Sequence, residues 1–129
     1  MTTVSIIDDN RVAREAIADL VNSLGYEVAT YESAEDFLDG EQFAQTSCLI
    51  TDLQMPGLNG LDLQSHLIAH GQTMPVIFVS GFPEENFRRR AMSAGAIGFL
   101  DKPFDDAALI ECLETALSIS AVKAGASAI

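Results

Sequence analysis

Five short apolar runs, each followed by a stretch of helical periodicity, constrain this chain more than any other feature. They are Val4 to Ile7, Val28 to Tyr31, Cys48 to Thr51, Val76 to Val79 and Ile97 to Leu100, at intervals of roughly two dozen residues. Runs this apolar, without polar alternation, suit strands covered on both faces. Strands alternating with helices form a parallel sheet with helices on its two sides. The expected fold class is therefore α/β, a doubly wound five-stranded parallel sheet.

The intervening segments read as helices with stops. The first carries Val12, Ala16, Ile17, Leu20, Val21 and Leu24 on one face and ends at Gly25. Ser33 opens a short second helix, with Asp36 three residues on, a variant of the capping box. The third runs from Asn59 to Gly71. A weaker fourth has Phe87, Ala91 and Ala94 on one face and stops at Gly95. The fifth starts near Asp105 or Asp106 and buries Leu109, Ile110, Leu113, Ala116 and Leu117. The sequence divides into one domain, residues 1–120, and a C-terminal tail, 121–129, small and polar enough to fray.

The chemistry gathers where the strands end. Right-handed crossovers put all carboxyl ends of a parallel sheet on one edge, and ligands bind there where strand order reverses. Asp8 and Asp9 follow the first strand, Asp52 ends the third, Ser80 ends the fourth, and Lys102 and Pro103 follow the fifth. With strand order 2-1-3-4-5, the first and third strands flank the reversal, and three carboxylates meet beside a hydroxyl and an ammonium. Three such carboxylates repel one another and call for a divalent cation. Magnesium suits best, taking one or two carboxylates and keeping waters for a phosphate oxygen. One carboxylate is then left as a nucleophile, and Asp52, on the tip of a buried strand, is best placed. Ser80 and Lys102 are suited to bind phosphoryl oxygens. Lys102 stands out by scarcity, since the only other lysine is Lys123.

The segments SIIDDN, LITDLQMPGLNGLDL, PVIFVSGF and AIGFLDKPF, in this order, resemble the receiver domain of two-component response regulators, over about residues 3 to 120. The phrase AMSAGAIGFLDKPF is most similar to the FixJ-like branch. The resemblance implies a (βα)5 flavodoxin-like fold. It implies Asp52 as acceptor of a phosphoryl group from a histidine kinase or phosphotransfer protein. It implies Mg2+ held by Asp8, Asp9, Asp52 and the backbone carbonyl of Gln54, and slow autodephosphorylation. Ser80 and Lys102 would contact the phosphoryl group, and the Lys102–Pro103 bond would be cis. Ser80 and Phe99 would form the switch, with Phe99 turning from outward to inward and acting by packing alone for want of a hydroxyl. Gln54 and Phe82 would flank the path of the attacking water, and the Phe82 ring would lengthen the life of the phosphorylated state. The downstream protein or fused output domain would read the face from the fourth to the fifth helix, and the chain would be a monomer or a phosphorylation-dependent dimer.

Other readings compete on specific residues. Aspartyl-nucleophile hydrolases and phosphatases also set an Asp on a strand tip, but resemble a D-x-D pattern whose second acid transfers a proton. Here that position is Gln54, so the expected role is a signalling switch rather than an enzyme turning over phosphate esters. A flavin binder needs a Ser-, Thr- and Gly-rich loop after the first strand, and DDNRVAR offers two anions instead. Asp62, His66 and His70 share one polar helix stripe and read as a solvated face. Arg88, Arg89 and Arg90 form the only basic run, either a solvated surface or a docking patch.

Composition narrows the partners further. With seven Lys and Arg against nineteen Asp and Glu, the net charge of −12 repels phosphate backbones, so this chain alone is not expected to bind nucleic acid. Cys48 and Cys112 lie far apart in apolar patterns and read as reduced core residues. MTTVSIIDDN lacks a basic n-region, and no apolar run reaches membrane-span length, so the expected compartment is cytoplasmic, with no membrane partner.

Overall fold

The structure, a computed structural model, describes residues 2–40, 45–81 and 85–127. The elements alternate as β1 (Thr3–Ile7), α1 (Arg11–Ser23), β2 (Glu27–Tyr31), α2 (Ala34–Asp39), β3 (Cys48–Asp52), α3 (Gly60–Ala69), β4 (Val76–Ser80), α4 (Glu85–Ser93), β5 (Gly98–Asp101) and α5 (Asp106–Ser127). The strands form one parallel sheet in the order β2-β1-β3-β4-β5, the doubly wound arrangement expected. This is the (βα)5 flavodoxin-like topology. No helix among the described residues is long and apolar enough to cross a membrane.

Side chains alternate across each strand and feed two separate cores. Ile7, Leu49, Phe78 and Phe99 pack with Phe37, Leu63 and Ala91 under α2, α3 and α4. Val4, Ile6, Ile50 and Ile77 pack with Ile17, Val21, Leu109 and Leu113 under α1 and α5. Burial of both faces is why β1, β3 and β4 read as unbroken apolar runs.

Several helix details depart from the expected pattern. Val12 and Ala16 face solvent, and Leu24 caps α1 and is exposed, so only Ile17 and Val21 of that face are fully buried. The sheet covers a narrower stripe of the helix than its periodicity allows. Ala94 lies one residue past α4 and is exposed, because the chain has already turned toward Gly95. β5 begins one residue later than its apolar run. The last helix continues to Ser127, through the segment expected to fray; alanines at 121, 124 and 126 are the strongest helix formers. Both cysteines are free, and burial pushes the Cys48 thiol up to about 12.

Two glycines let helices approach the sheet closely. A Cβ on Gly60 would stand 2.8 Å from the Asp52 carbonyl oxygen and 2.8 Å from the Phe78 ring. The first turn of α3 therefore sits directly on the end of β3. A Cβ on Gly98 would stand 2.7 Å from the Cys112 sulfur, a side-chain atom with room to yield. Gly60→Ala is accordingly expected to lose about 2 kcal/mol in urea unfolding, and Gly98→Ala about 1 kcal/mol. Gly81→Ala, which meets nothing within 4 Å among the described residues, should stay within about 0.5 kcal/mol of wild type.

Candidate functional site

The site forms at the carboxyl edge of the sheet, between β1 and β3. Asp8 follows β1 directly; its N–H still bonds the Tyr31 carbonyl at 3.2 Å, extending the ladder by one rung. The chain then turns into α1, whose cap is Asn10: the Asn10 side chain accepts from the Ala13 N–H at 2.9 Å. The same Asn10 donates its own backbone N–H to Asp8 Oδ1 at 2.9 Å. Asp52 is the last residue of β3, and the β3–α3 loop leaves at once. An Asn59–Asp62 capping box then starts α3. Asp62 is thus a cap residue, and His66 and His70 stack on each other at 4.1 Å on an exposed part of α3.

Asp8, Asp9 and Asp52 come together, each able to offer one oxygen within 4.8 Å of the others. Asp8 is fully buried, Asp52 is 8% exposed, and Asp9 lies open to solvent. Lys102 reaches into this group from the loop after β5. Its Nζ stands 2.7 Å from Asp8 Oδ2 and 3.6 Å from Asp52 Oδ2. The Lys102 backbone N–H bonds the Ser80 carbonyl at 2.7 Å, which fixes the lysine beside the end of β4. The Lys102–Pro103 peptide is cis, as expected. Ser80 is buried at that same edge.

Burial raises the Asp52 carboxyl to about 6, and the Asp8 and Asp9 charges add to the rise. Lys102 and the Gln54 backbone N–H pull it the other way without cancelling the cost. The carboxylates are short of positive charge. Three clustered carboxylates are hard oxygen donors, the set that a small divalent cation takes, so the residues fit such an ion. Gln54 is exposed and follows Asp52 by two residues; its N–H faces the acid.

Phe99 faces inward, 6% exposed, with its ring 6.2 Å from that of Phe78. The outward starting position expected for it is not the one this structure holds, because the core under α4 has room for the ring. Phe82 lies outside the described residues. Arg88, Arg89 and Arg90 are all exposed on α4, with the Arg88 guanidinium 5.9 Å from the centroid of Phe99.

Two contributors escaped the sequence reading. Arg14, 12% exposed, donates from Nη1 to the Asp8 carbonyl at 2.8 Å. Its signal was only the second of two arginines, after Arg11, in the first turns of a helix that follows two acids. Glu35 of α2 accepts from the Leu58 N–H at 3.3 Å and fills the space beside Gly57, whose φ is +76°. No local pattern marks that reach. A cleft of about 300 Å3 opens beside Lys102, lined by Ala13, Ile17, Leu20, Pro103 and Phe104 among others.

Comparison with known proteins agrees with this arrangement. The family profile described as the response regulator receiver domain matches residues 4–114. The transcriptional regulatory protein FixJ of Azorhizobium caulinodans is 42% identical over 118 residues, covering 92% of this chain and 56% of that protein. The transcriptional regulatory protein TdiR of Thauera aromatica is 34% identical over 119 residues, covering 92% and 52%. The chain spans about half the length of these curated relatives. Among solved structures, the response regulator StyR superposes with a TM-score of 0.90 at 37% identity, covering 98% of this chain and 64% of that one. FixJ-N gives 0.82 at 33% identity, covering 92% and 94%. With family profile, relatives and fold in agreement, the chain belongs to the response regulator receiver domain family of two-component signalling.

Proposed function

We propose that this domain accepts a phosphoryl group on Asp52 from the phosphohistidine of a histidine kinase or phosphotransfer protein, in a reaction that depends on Mg2+. The observation that carries the reading is the meeting of three carboxylates and Lys102 around a nearly buried Asp52. A carboxylate oxygen of Asp52 attacks phosphorus, the phosphorus–nitrogen bond breaks, and its electron pair returns to the imidazole. Mg2+, when bound, neutralises charge on the arriving phosphoryl oxygens. Asp8 and Asp9, with the Gln54 carbonyl, are the remaining candidates to hold it. Lys102 answers one phosphoryl oxygen as a point charge, and the Ser80 hydroxyl bonds another. Attack of water on phosphorus later restores the carboxylate and releases inorganic phosphate, with Gln54 and Phe82 setting the pace.

The donor approaches over the rim beside the apolar cleft, where Val12 is 77% exposed. The signal leaves through Ser80 and Phe99 toward α4 and α5, where a fused output domain or a separate protein reads it. A state with Phe99 already packed inward means that the shift acts on α4 and Arg88 around the ring. The assembly is a monomer or a phosphorylation-dependent dimer, and the compartment is the cytoplasm.

Incubation with acetyl phosphate and Mg2+ should add one phosphoryl group by intact mass to wild type and none to Asp52→Asn. Labelling without Mg2+, or equal labelling of the two proteins, would sink the reading. Lys102→Ala should slow labelling at least about tenfold, and should also lower stability, because it strips the buried Asp8 carboxylate of its partner. The Asp52 carboxyl supplies a second test in the metal-free protein. Its folded pKa, about 6, lies above the ordinary value of 3.8. Its favourable contribution is therefore complete below about pH 4 and is lost as pH rises through about 6. In EDTA, Asp52→Asn should be about 3 kcal/mol more stable than wild type at pH 8, and no more stable at pH 4. Urea unfolding at the two pH values checks this, and a gain of equal size at both would remove the electrostatic cause.

A further inference from the structure

We infer that Arg14 is a positioning residue for the divalent-cation site, acting on the Asp8–Asp9–Asn10 turn rather than on the ion. The inference rests on the reading of Asp8, Asp9 and Asp52 as that site. The Arg14 side chain grips the turn through its Nη1, which donates to the Asp8 carbonyl at 2.8 Å. The first intrahelical bond of α1, from the Arg14 N–H to the Asn10 carbonyl at 2.9 Å, anchors the next peptide whatever the side chain. Asp9, the exposed acid, lies between the two anchored peptides. Asp8 is held further by the Asn10 N–H on Oδ1 and by Lys102 on Oδ2. Asp9 has no such bond on its carboxylate among the described residues, so its aim depends on the backbone that Arg14 fixes.

The guanidinium pays for burial, at 12% exposed, with little direct charge pairing: Glu32 Oε1 stands 3.7 Å away and is itself 76% exposed. A positive group beside a cation site opposes the ion, so charge alone would make Arg14 a liability. One N–H of the planar guanidinium satisfies a carbonyl that has left the sheet ladder, with a rigid reach and angle that the flexible lysine ammonium does not reproduce. Supporting residues one step removed from a metal typically change its affinity 10- to 100-fold. Positioning and charge therefore predict opposite results for the neutral variant.

The test is calorimetric titration of MgCl2 into wild type, Arg14→Lys, Arg14→Gln, Asp9→Asn and Gly98→Ala, with urea unfolding of each in EDTA. Both Arg14 variants should bind Mg2+ about tenfold more weakly than wild type. Gly98→Ala, remote from the site, should lose stability and keep its Mg2+ affinity; this separates positioning from general loosening of the fold. Arg14→Gln binding as tightly as wild type or tighter would overturn the inference, as would Arg14→Lys binding like wild type, which would leave only charge. A wild type that binds no Mg2+, or an Asp9→Asn that binds it fully, would instead overturn the cation site and the inference with it. Should Arg14→Gln fail to fold, Arg14→Lys alone decides the outcome.

Discussion

The contact between Lys102 Nζ and Asp8 Oδ2, at 2.7 Å, is the point on which the site hangs. It joins the loop after β5 to the end of β1, across two intervening strands. A buried carboxylate without a partner is costly, and Asp8 is completely buried. The lysine removes that cost and also brings its charge to within 3.6 Å of Asp52. One cation nonetheless faces three acids. Burial first, and the Asp8 and Asp9 charges after it, hold the Asp52 carboxyl up at about 6. A site left in this condition is built to receive further positive charge.

Strand order is what makes such a meeting unavoidable. β1 and β3 are neighbours because the chain winds outward first to β2 and then returns to the other side of β1. Their carboxyl ends therefore open at the reversal, with no helix to cover them. The turn after β1 and the loop after β3 are each fixed by local chemistry: Asn10 caps α1, and Asn59 with Asp62 caps α3. Gly60 then lets α3 settle against the Asp52 carbonyl. The rigid surroundings keep the acids together despite their repulsion.

The sheet, its order and the acids with Lys102 were legible because they depend on short-range signals. Apolar runs ending in charged residues announce strands, and topology rules turn strand ends into one edge. What stayed hidden depends on reach across the fold. Arg14 bonds a carbonyl six residues back around a helix start, and Glu35 spans to Leu58 from another helix. Periodicity also overstated burial: Val12 keeps helical register with Ile17 and Val21 but projects beyond the sheet. The position of Phe99 could not be read at all. An aromatic at the end of an apolar strand suits either side of the surface until the facing helix is known.

That facing helix is the least anchored of the inner pair. α3 buries Leu61, Leu63, Gln64 and Leu67, whereas Ala91 is the one buried residue recorded for α4. α4 is held besides by Phe87, half-buried against the core, by Gln64 Nε2 donating to the Ala91 carbonyl at 3.1 Å, and by Arg88 over Phe99. Two of these ties are polar: the one from Gln64 is buried between the helices, and the one from Arg88 lies at the surface, where water can replace it, whereas moving α3 would empty a core. Segments with few buried apolar contacts open at low free energy. A change begun at Ser80, whose carbonyl already receives the Lys102 N–H, thus meets its weakest resistance in α4. The tilted rings of Phe78 and Phe99 pack in the core that α4 covers, so the strands that carry the site and its most yielding helix share one packed contact.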